Sequence, residues 1–352
     1  MSTKFLDTGR QAPGCGSQVP TVAVVVATYM RAERLPTLVR LTLDDPAVTE
    51  LIVVVDGCSD GSYECLTGLA AREERLRPLF VEHRGHLGAV EAGVRAAGSD
   101  VIVLLDDDVL PRPGLFTNHA RHHIGKSGQV VVGYMPVSVP ARRGRGDVAT
   151  FLYAAEYERH CVRLEQSRDE VLEHLWGGNV SLQREDCLAV GVKSDEFDTF
   201  YFSDREFGIR LAEAGMVGVF DPNLAATHLH RRDARGFVDD AVSQGMGMAL
   251  LHRIHAERLG PFEETSLYGD LPIGIRWFVR RFGRGVLSRP VALVLMEAGV
   301  ALGAIRAFRL QTACARLARR LCQLRGFVAQ KRSRPSFPRS GTGRFALRSE
   351  RQ

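Results

Sequence analysis

A doubly wound α/β sheet is the fold this sequence predicts, and three observations predict it. Short unbroken apolar runs (TVAVVVA at Thr21–Ala27, LIVVV at Leu51–Val55 and VIVLL at Val101–Leu105) read as strands buried on both faces. Segments of helical periodicity separate them. Turn-forming residues cluster after a strand rather than within it, at Asp56-Gly57 and Asp60-Gly61-Ser62.

The elements follow in order. After the first strand, Arg31–Leu43 predicts a helix with Leu35, Leu38 and Leu41 on one side. The second strand leads to a helix over Tyr63–Arg75 and a third strand at Leu79–Glu82. His86–Ala97 predicts another helix, and Val101–Leu105 the fourth strand. In such sheets ligands gather at the carboxyl ends of the strands, so the loops after the first, second and fourth strands are where chemistry is expected. Gln129–Val137 predicts a further strand, Ala141–Asp147 a Gly/Arg-rich loop, and Thr150–His174 a helix with a Glu/Arg-dense exposed face. A strand at Val180–Gln183 and a helix over Asp204–Ala214 come next. Beyond His230 the pattern turns helical: Phe237–Arg258, a linker at Pro261–Pro272, then a long helical stretch over Val291–Arg325. No internal repeat is visible.

This pattern divides the 352 residues into a disordered leader (1–19), a catalytic α/β domain (20–235), a C-terminal helical region (236–330) and a basic disordered tail (331–352). The composition, 45% hydrophobic and 25% charged, is that of a folded soluble protein. The net charge of +5 comes from basic residues crowded towards the C-terminus and does not by itself imply nucleic acid. Seven cysteines form no C-x-x-C pair, which predicts free thiols and a reduced, cytoplasmic setting. The leader has no apolar core of a signal peptide.

Asp106, Asp107 and Asp108 follow directly on the buried run VIVLL. Three adjacent carboxylates repel one another, and a strand end close to the core gives them little water to screen the repulsion. A divalent cation relieves this, and oxygen ligands of this kind suit Mg²⁺ or Mn²⁺, which keep waters and bind substrate phosphates beside one or two carboxylates. The alternative is a solvated acidic turn capping a helix.

Six runs, in order, resemble the family 2 inverting glycosyltransferases of the GT-A fold: VAVVVATYMR, VVVDGCSDGS, HRGHLGAVEAG, VIVLLDDDVLP, GGNVSLQRE and SDREFGIRLAEAG, together covering about residues 21–230. The resemblance implies a GT-A, nucleotide-diphospho-sugar transferase-like mixed sheet and transfer of a hexosyl or pentosyl group from a nucleotide sugar. It implies that Thr28, Tyr29 and Arg31 line a nucleotide pocket, and that Asp56 accepts a hydrogen bond from a base imino group, which uracil offers at N3. Asp106 would face the ribose or the metal shell, with Asp107 beside the nucleotide. Asp108 would be the main metal ligand, with His228, one half of an H-x-H pair with His230, completing the shell.

An inverting displacement needs a base for the acceptor hydroxyl. The family's acidic pair aligns with Ser203-Asp204, so the resemblance gives the base to Asp204, with Glu206 as the nearest replacement for the missing carboxylate. Trp176, Gly177 and Gly178 align with the acceptor loop, where glycines admit a sugar to the backbone and an aromatic ring stacks on it. Each residue also has a plainer reading: turn chemistry for Asp56, a helix-start carboxylate for Asp204, a core ring for Trp176, a surface imidazole for His228. The chain departs from the family pattern at Val55 and at Val90-Glu91, which leaves the sugar and the base open.

Val291–Ile305 is apolar but for Glu297, yet at about 15 residues it is shorter than the roughly 20 a bilayer span requires. With Arg306, Arg309, Arg316, Arg319 and Arg320 after it, the region predicts an amphipathic helix, either packed on the catalytic domain or lying on the inner membrane surface, where a lipid-linked acceptor would be reached. Glycan and small-molecule acceptors fit as well. Three other readings compete. A sugar-phosphate nucleotidyltransferase favours a glycine-rich basic loop after the first strand, which ATYMRAERLP is not. A non-catalytic nucleotide-sugar binder would not need Asp204. A nucleic-acid binder would need more aromatics in the tail than Phe327, Phe337 and Phe345.

Overall fold

The computed structural model describes residues 19–332 apart from Asp198 and Phe200. Nearly all of the expected leader and of the expected tail therefore lie outside the described residues. One curled sheet of eight strands carries the chain, in the order β3-β2-β1-β4-β7-β6-β8-β5. Strands β1 (Val22–Thr28), β2 (Val48–Asp56), β3 (Leu76–Val81) and β4 (Val101–Leu105) are mutually parallel. Every residue of β1 is buried, as its unbroken β-branched run predicts. Helices α1 (Leu35–Leu43), α2 (Ser62–Ala70) and α3 (Gly85–Ala96) connect these strands. On α3, a Cβ at Gly93 would stand 2.5 Å from Val25 and 3.0 Å from Val54, so only glycine lets that helix sit so close to β1 and β2.

Beyond β4 the direction alternates. A short β5 (Val109–Pro111) and helix α4 (Leu115–His122) precede β6 (Gln129–Tyr134), helix α5 (Val148–Gln166), β7 (Asn179–Gln183), helices α6 (Arg184–Val190) and α7 (Ser203–Glu213), and β8 (Val217–His228). Strand β7 runs antiparallel to both β4 and β6, while β8 is parallel to β6 and antiparallel to β5. The first turn of α4 is capped from a distance. Asp45 accepts hydrogen bonds from the amides of Phe116 (2.9 Å) and Thr117 (3.1 Å), satisfying two of the donors a helix start leaves free.

The C-terminal helices are α8 (Ala234–Ile254), α9 (Ala256–Leu259), α10 (Ile273–Gly283), α11 (Ser288–Ala304) and α12 (Phe308–Arg332). Asp233 caps α8 by accepting from the Gly236 amide at 2.7 Å. Helices α8 and α12 cross at glycines: Gly245 lies against the Gln323 backbone and Gly326 against the Val242 carbonyl, with no room for a side chain at either.

Several boundaries differ from those the sequence predicts. The helix expected over Thr150–His174 ends at Gln166, and that expected over Phe237–Arg258 breaks after Ile254. The stretch Val291–Arg325 is two helices, separated at Ile305–Ala307, where Arg306 takes a left-handed φ of 60°. The expected linker contains a 3-10 turn at Glu264–Leu267. Elements β5, α4, α6, β8 and α10 have no counterpart in the pattern read from the sequence. The basic helix packs rather than lying free: Ala315, Ala318 and Cys322 join a buried cluster with α8 and α11, Arg319 pairs with Glu156, and Arg320 pairs with Asp270. No helix among the described residues is long and apolar enough to cross a membrane. Their six cysteines are all free.

Candidate active site

The site grows from the carboxyl ends of β1, β2 and β4, where parallel strands stop and their loops turn outward. The first two loops are stitched together by side chains. Cys58 Sγ accepts from the Met30 amide (3.3 Å), and Asp60 accepts from the Ala32 amide (3.1 Å) and from Ser62 Oγ (2.6 Å). The Ser62 bond, opposed by some burial, holds the Asp60 carboxyl down to about 2. Gly57, with φ of 68°, brings the β2 loop so close to His83 that a Cβ would stand 2.6 Å from the His83 amide nitrogen. Asp56, buried at the end of β2, accepts from the Arg84 amide (2.7 Å) and faces His83 Nδ1 at 3.1 Å. Tyr29 is exposed and tilts against the His83 ring, 5.4 Å between centroids.

The three aspartates point three ways. Asp107 accepts from Thr28 Oγ1 at 2.8 Å and lies 3.9 Å from Arg31 Nε. Asp108 faces His228 Nε2 at 3.2 Å. Asp106 lies beneath Gly178, where a Cβ would come within 2.6 Å of its Oδ2; Gly178 has φ of 101°, so both space and conformation demand glycine. Burial pushes Asp106 up to about 7, reinforced by the charge of Asp108, and pushes Asp107 up to about 6 against the pull of Thr28 and Arg31. Burial also opposes ionisation of Asp108, but the His228 hydrogen bond and charge, with help from Arg31, outweigh it and hold Asp108 down at about 2.

The acidic loop is fixed on both flanks by backbone. The Asp106 amide donates to the Gly178 carbonyl (3.2 Å), and the Leu229 amide donates to the Asp108 carbonyl (2.8 Å). One residue before Gly178, the Gly177 amide donates to Asp204 Oδ2 at 2.9 Å, and the Arg205 amide donates to Asp204 Oδ1 at 2.8 Å. Desolvation raises the pKa of Asp204 while these two amides pull it down. Trp176 meets Tyr153 and Tyr157 edge-on, each at 5.4 Å, and Tyr153 stacks on His230 at 3.8 Å. Burial takes His230 down to about 3, so it presents a neutral ring.

The structure thus brings Thr28, Arg31, Asp106, Asp107, Asp108, Trp176, Gly177, Gly178, Asp204 and His228 into one connected cluster, with Tyr29 and Asp56 around the β2 corner. Glu206 does not join them. It is buried one turn into α7 against Arg210 (2.9 Å), whose guanidinium also donates to the carbonyls of Val190, Gly191 and Val192. That is a loop anchor. Two residues went unnoticed in the sequence. His86, at the start of α3, feels the charges of Asp107, Asp204, Asp56 and Asp108, which oppose the lowering of its pKa by burial. Tyr153 begins an aromatic series continued by Tyr157 and His160 at helical spacing, a signal hidden among the charges of α5.

An acidic loop at the carboxyl edge of a mixed sheet, facing a carboxylate held at a helix start, defines a GT-A glycosyltransferase. A mannosyltransferase from Pyrobaculum calidifontis, solved in complex with GDP-Man and Mn²⁺, shares the fold with a TM-score of 0.57 at 16% identity, covering 90% of this chain and 89% of its own. The chain belongs to glycosyltransferase family 2: the model described as "Glycosyltransferase like family 2" matches residues 20–245. Among curated proteins, validoxylamine A glucosyltransferase of Streptomyces hygroscopicus subsp. jinggangensis is 29% identical over 229 residues, 58% of this chain and 54% of that protein. An undecaprenyl-phosphate 4-deoxy-4-formamido-L-arabinose transferase of Pectobacterium carotovorum is 35% identical over 101 residues, 27% of this chain and 31% of that protein. The chain spans about half the length of the validoxylamine A glucosyltransferases it matches.

Proposed function

We propose that this glycosyltransferase moves a sugar from a nucleoside diphosphate donor, UDP by preference, to an acceptor hydroxyl with inversion, using Asp204 as base and a divalent cation at Asp108. One observation carries the reading. Gly177 binds Asp204 while Gly178 binds Asp106, so two consecutive residues tie the candidate base to the acidic loop. An acceptor hydroxyl over this dipeptide would have the donor's diphosphate on one side and a proton acceptor on the other.

The donor set suits Mg²⁺ or Mn²⁺. Among the described residues no three His, Cys, Asp or Glu side chains close on a point by themselves, in keeping with ions that fill their shell from water and phosphate oxygens. The crowding of Asp106 and Asp108 is the strain an added cation would relieve, and His228, whose Nε2 faces Asp108 at 3.2 Å, would share the ion through that nitrogen. When bound, the ion would offset the charge of the departing nucleoside diphosphate. The P. calidifontis enzyme, solved with GDP-Man and Mn²⁺, supports the same class of donor and ion here.

The remaining steps belong to side chains. Asp204, with a raised pKa, is a stronger base than an exposed carboxylate and takes the hydroxyl proton as the bond to the sugar forms. Trp176, half-buried against Tyr153 and Tyr157, offers an apolar face to an acceptor sugar, and His230 backs Tyr153 behind it. Asp56 and Tyr29 hold the base, and Thr28 with Arg31 keep Asp107 turned towards the nucleotide loop. The relatives' names span a small-molecule glucosyltransferase and a lipid-phosphate sugar transferase, so both acceptor classes are open to this chain.

The test is Asp204→Asn, which keeps the shape of the side chain and one oxygen to accept from the Gly177 amide but removes proton acceptance. Turnover should fall by about 10²-fold or more, the usual contribution of a placed base, while UDP affinity in the presence of Mn²⁺ is unchanged. Near-normal turnover in the folded variant would remove Asp204 from the role.

A further inference from the structure

We propose that the outer face of α10 lies on an anionic lipid surface and holds the enzyme there as a peripheral membrane protein. The inference is independent of the donor and the base, since it rests on a different end of the molecule. Helix α10 reads IGIRWFVRRFG and contains no acidic residue. Its inner side is committed: Val279 is buried with Leu321, Leu324 and Phe327 of α12, and a Cβ at Gly283 would meet Leu324 at 3.0 Å. Its orientation is therefore set, and the opposite side faces outward.

That outward side carries Ile273 and Trp277, one helical turn apart and 82% and 64% exposed, with Val286 following at 80% in the turn to α11. A large aliphatic side chain and an indole left this open in one short helix is an arrangement water penalises and a lipid interface accepts; tryptophan in particular favours the headgroup level. Arg276, Arg280 and Arg281 flank the pair, and among the described residues none of them is ion-paired. The carboxylates nearest in sequence are already taken, Glu264 by Arg284 and Asp270 by Arg320. A helix of 11 residues, about 16 Å long, cannot span a bilayer and would lie in its surface.

Charge selects the occupant. A second copy docked face to face would set these arginines against their own images, and the segment beyond residue 332 carries Arg334, Arg339, Arg344, Arg348 and Arg351 against Glu350 alone. A surface of anionic headgroups over an acyl interior complements both the guanidinium groups and the apolar pair.

Sedimentation of the full chain with lipid vesicles tests this. The protein should pellet with vesicles containing about a third phosphatidylglycerol and not with pure phosphatidylcholine, and high salt should release it. Tryptophan emission should shift to the blue on binding, and the shift should vanish in Trp277→Phe. Ile273→Ser/Trp277→Ser should weaken binding about tenfold or more, and Arg280→Glu/Arg281→Glu by at least as much, with melting temperatures unchanged because all four side chains are exposed. Failure to pellet with anionic vesicles, or binding that both double variants retain, would overturn the proposal. So would a concentration-dependent dimer abolished by Ile273→Ser/Trp277→Ser, which would give the face to a second copy.

Discussion

The two halves of the sheet are held by different forces. On the proposed donor side, β1 to β4 deliver loops laced by directed bonds: Cys58 to Met30, Asp60 to Ala32, Asp56 to Arg84, Thr28 to Asp107. On the proposed acceptor side, stacked rings lie near the surface of the site, and the polar contacts lie deeper, where His119 and His123 both reach Ser181 at 2.8 Å and His119 also reaches Asn179 at 2.9 Å. Hydrogen-bonded loops hold a fixed outline, suited to a nucleotide that stays the same from one turnover to the next. Packed rings accommodate changes of shape, suited to an acceptor that varies across a family.

Substitutions sharpen that contrast, and the largest effect is expected at the seam. Asp108→Asn should weaken Mn²⁺-dependent UDP binding by about 2–4 kcal/mol, the loss of a charged ligand to a buried ion, as read by calorimetry with and without chelator. Equal UDP affinity with and without chelator, or unchanged affinity in the variant, would remove the ion from donor binding at Asp108.

Next comes the acceptor half. His119→Ala should cost roughly 2–3 kcal/mol of stability, because Ser181 and Asn179 lose a buried partner. The same pair predicts a pH dependence. Burial above all holds His119 and His123 down at about 4, with the charge of His122 adding to the effect at both. The unfolded chain therefore binds protons that the folded chain refuses between roughly pH 6.5 and 4. Stability should be full above that window and fall as the pH drops through it, and His119→Ala should flatten the slope. Denaturant melts at pH 7 and pH 5 measure both.

A smaller effect is expected in the donor loops. Asp60→Ala removes the acceptor for Ala32 and Ser62 and should cost about 1 kcal/mol in melting experiments, raising the KM for donor more than it changes kcat. Smallest of all, Asp56→Ala should narrow the preference for UDP over GDP by several-fold in competition assays, leaving the Mn²⁺ affinity unchanged. If GDP already competes better than UDP in the parent enzyme, the uracil assignment fails at Asp56.

The same contrast governs what could be read from the sequence. The parallel strands were legible because double burial writes them as continuous β-branched runs. The acidic loop was legible because three carboxylates placed directly after such a run repel one another with little water to screen them, and so call for a cation. Strand β8 was not: VGVFDPNLAATH contains Pro222 and exposed Asn223, and it holds its place through pairing with both β6 and β5 rather than through local pattern. Helix α4 owes its start to Asp45, far back in the chain, so its own residues carry no capping signal. Glu206 had the right chemistry and spacing for the site, but the α7 rotation that presents Asp204 to Gly177 turns Glu206 to Arg210. His86 was hidden by its distance in sequence from the carboxylates that surround it.

The amide of Leu229 on the Asp108 carbonyl has a consequence for how the enzyme comes into being. Domains fold as their chains emerge from the ribosome, N-terminal elements first, and the four parallel strands with their helices are complete by Leu105. The acidic loop, in contrast, keeps one flank open until Gly178 arrives just ahead of β7 and the other until the chain has been translated past β8 to Leu229. A nascent chain halted between β4 and β7 would thus carry the β1 and β2 loops already paired, and Asp107 already held by Thr28, but both flanks of the acidic loop still open. Pulse-labelled hydrogen exchange on stalled chains would find the amides of β1 and β2 protected early, and that of Leu229 last.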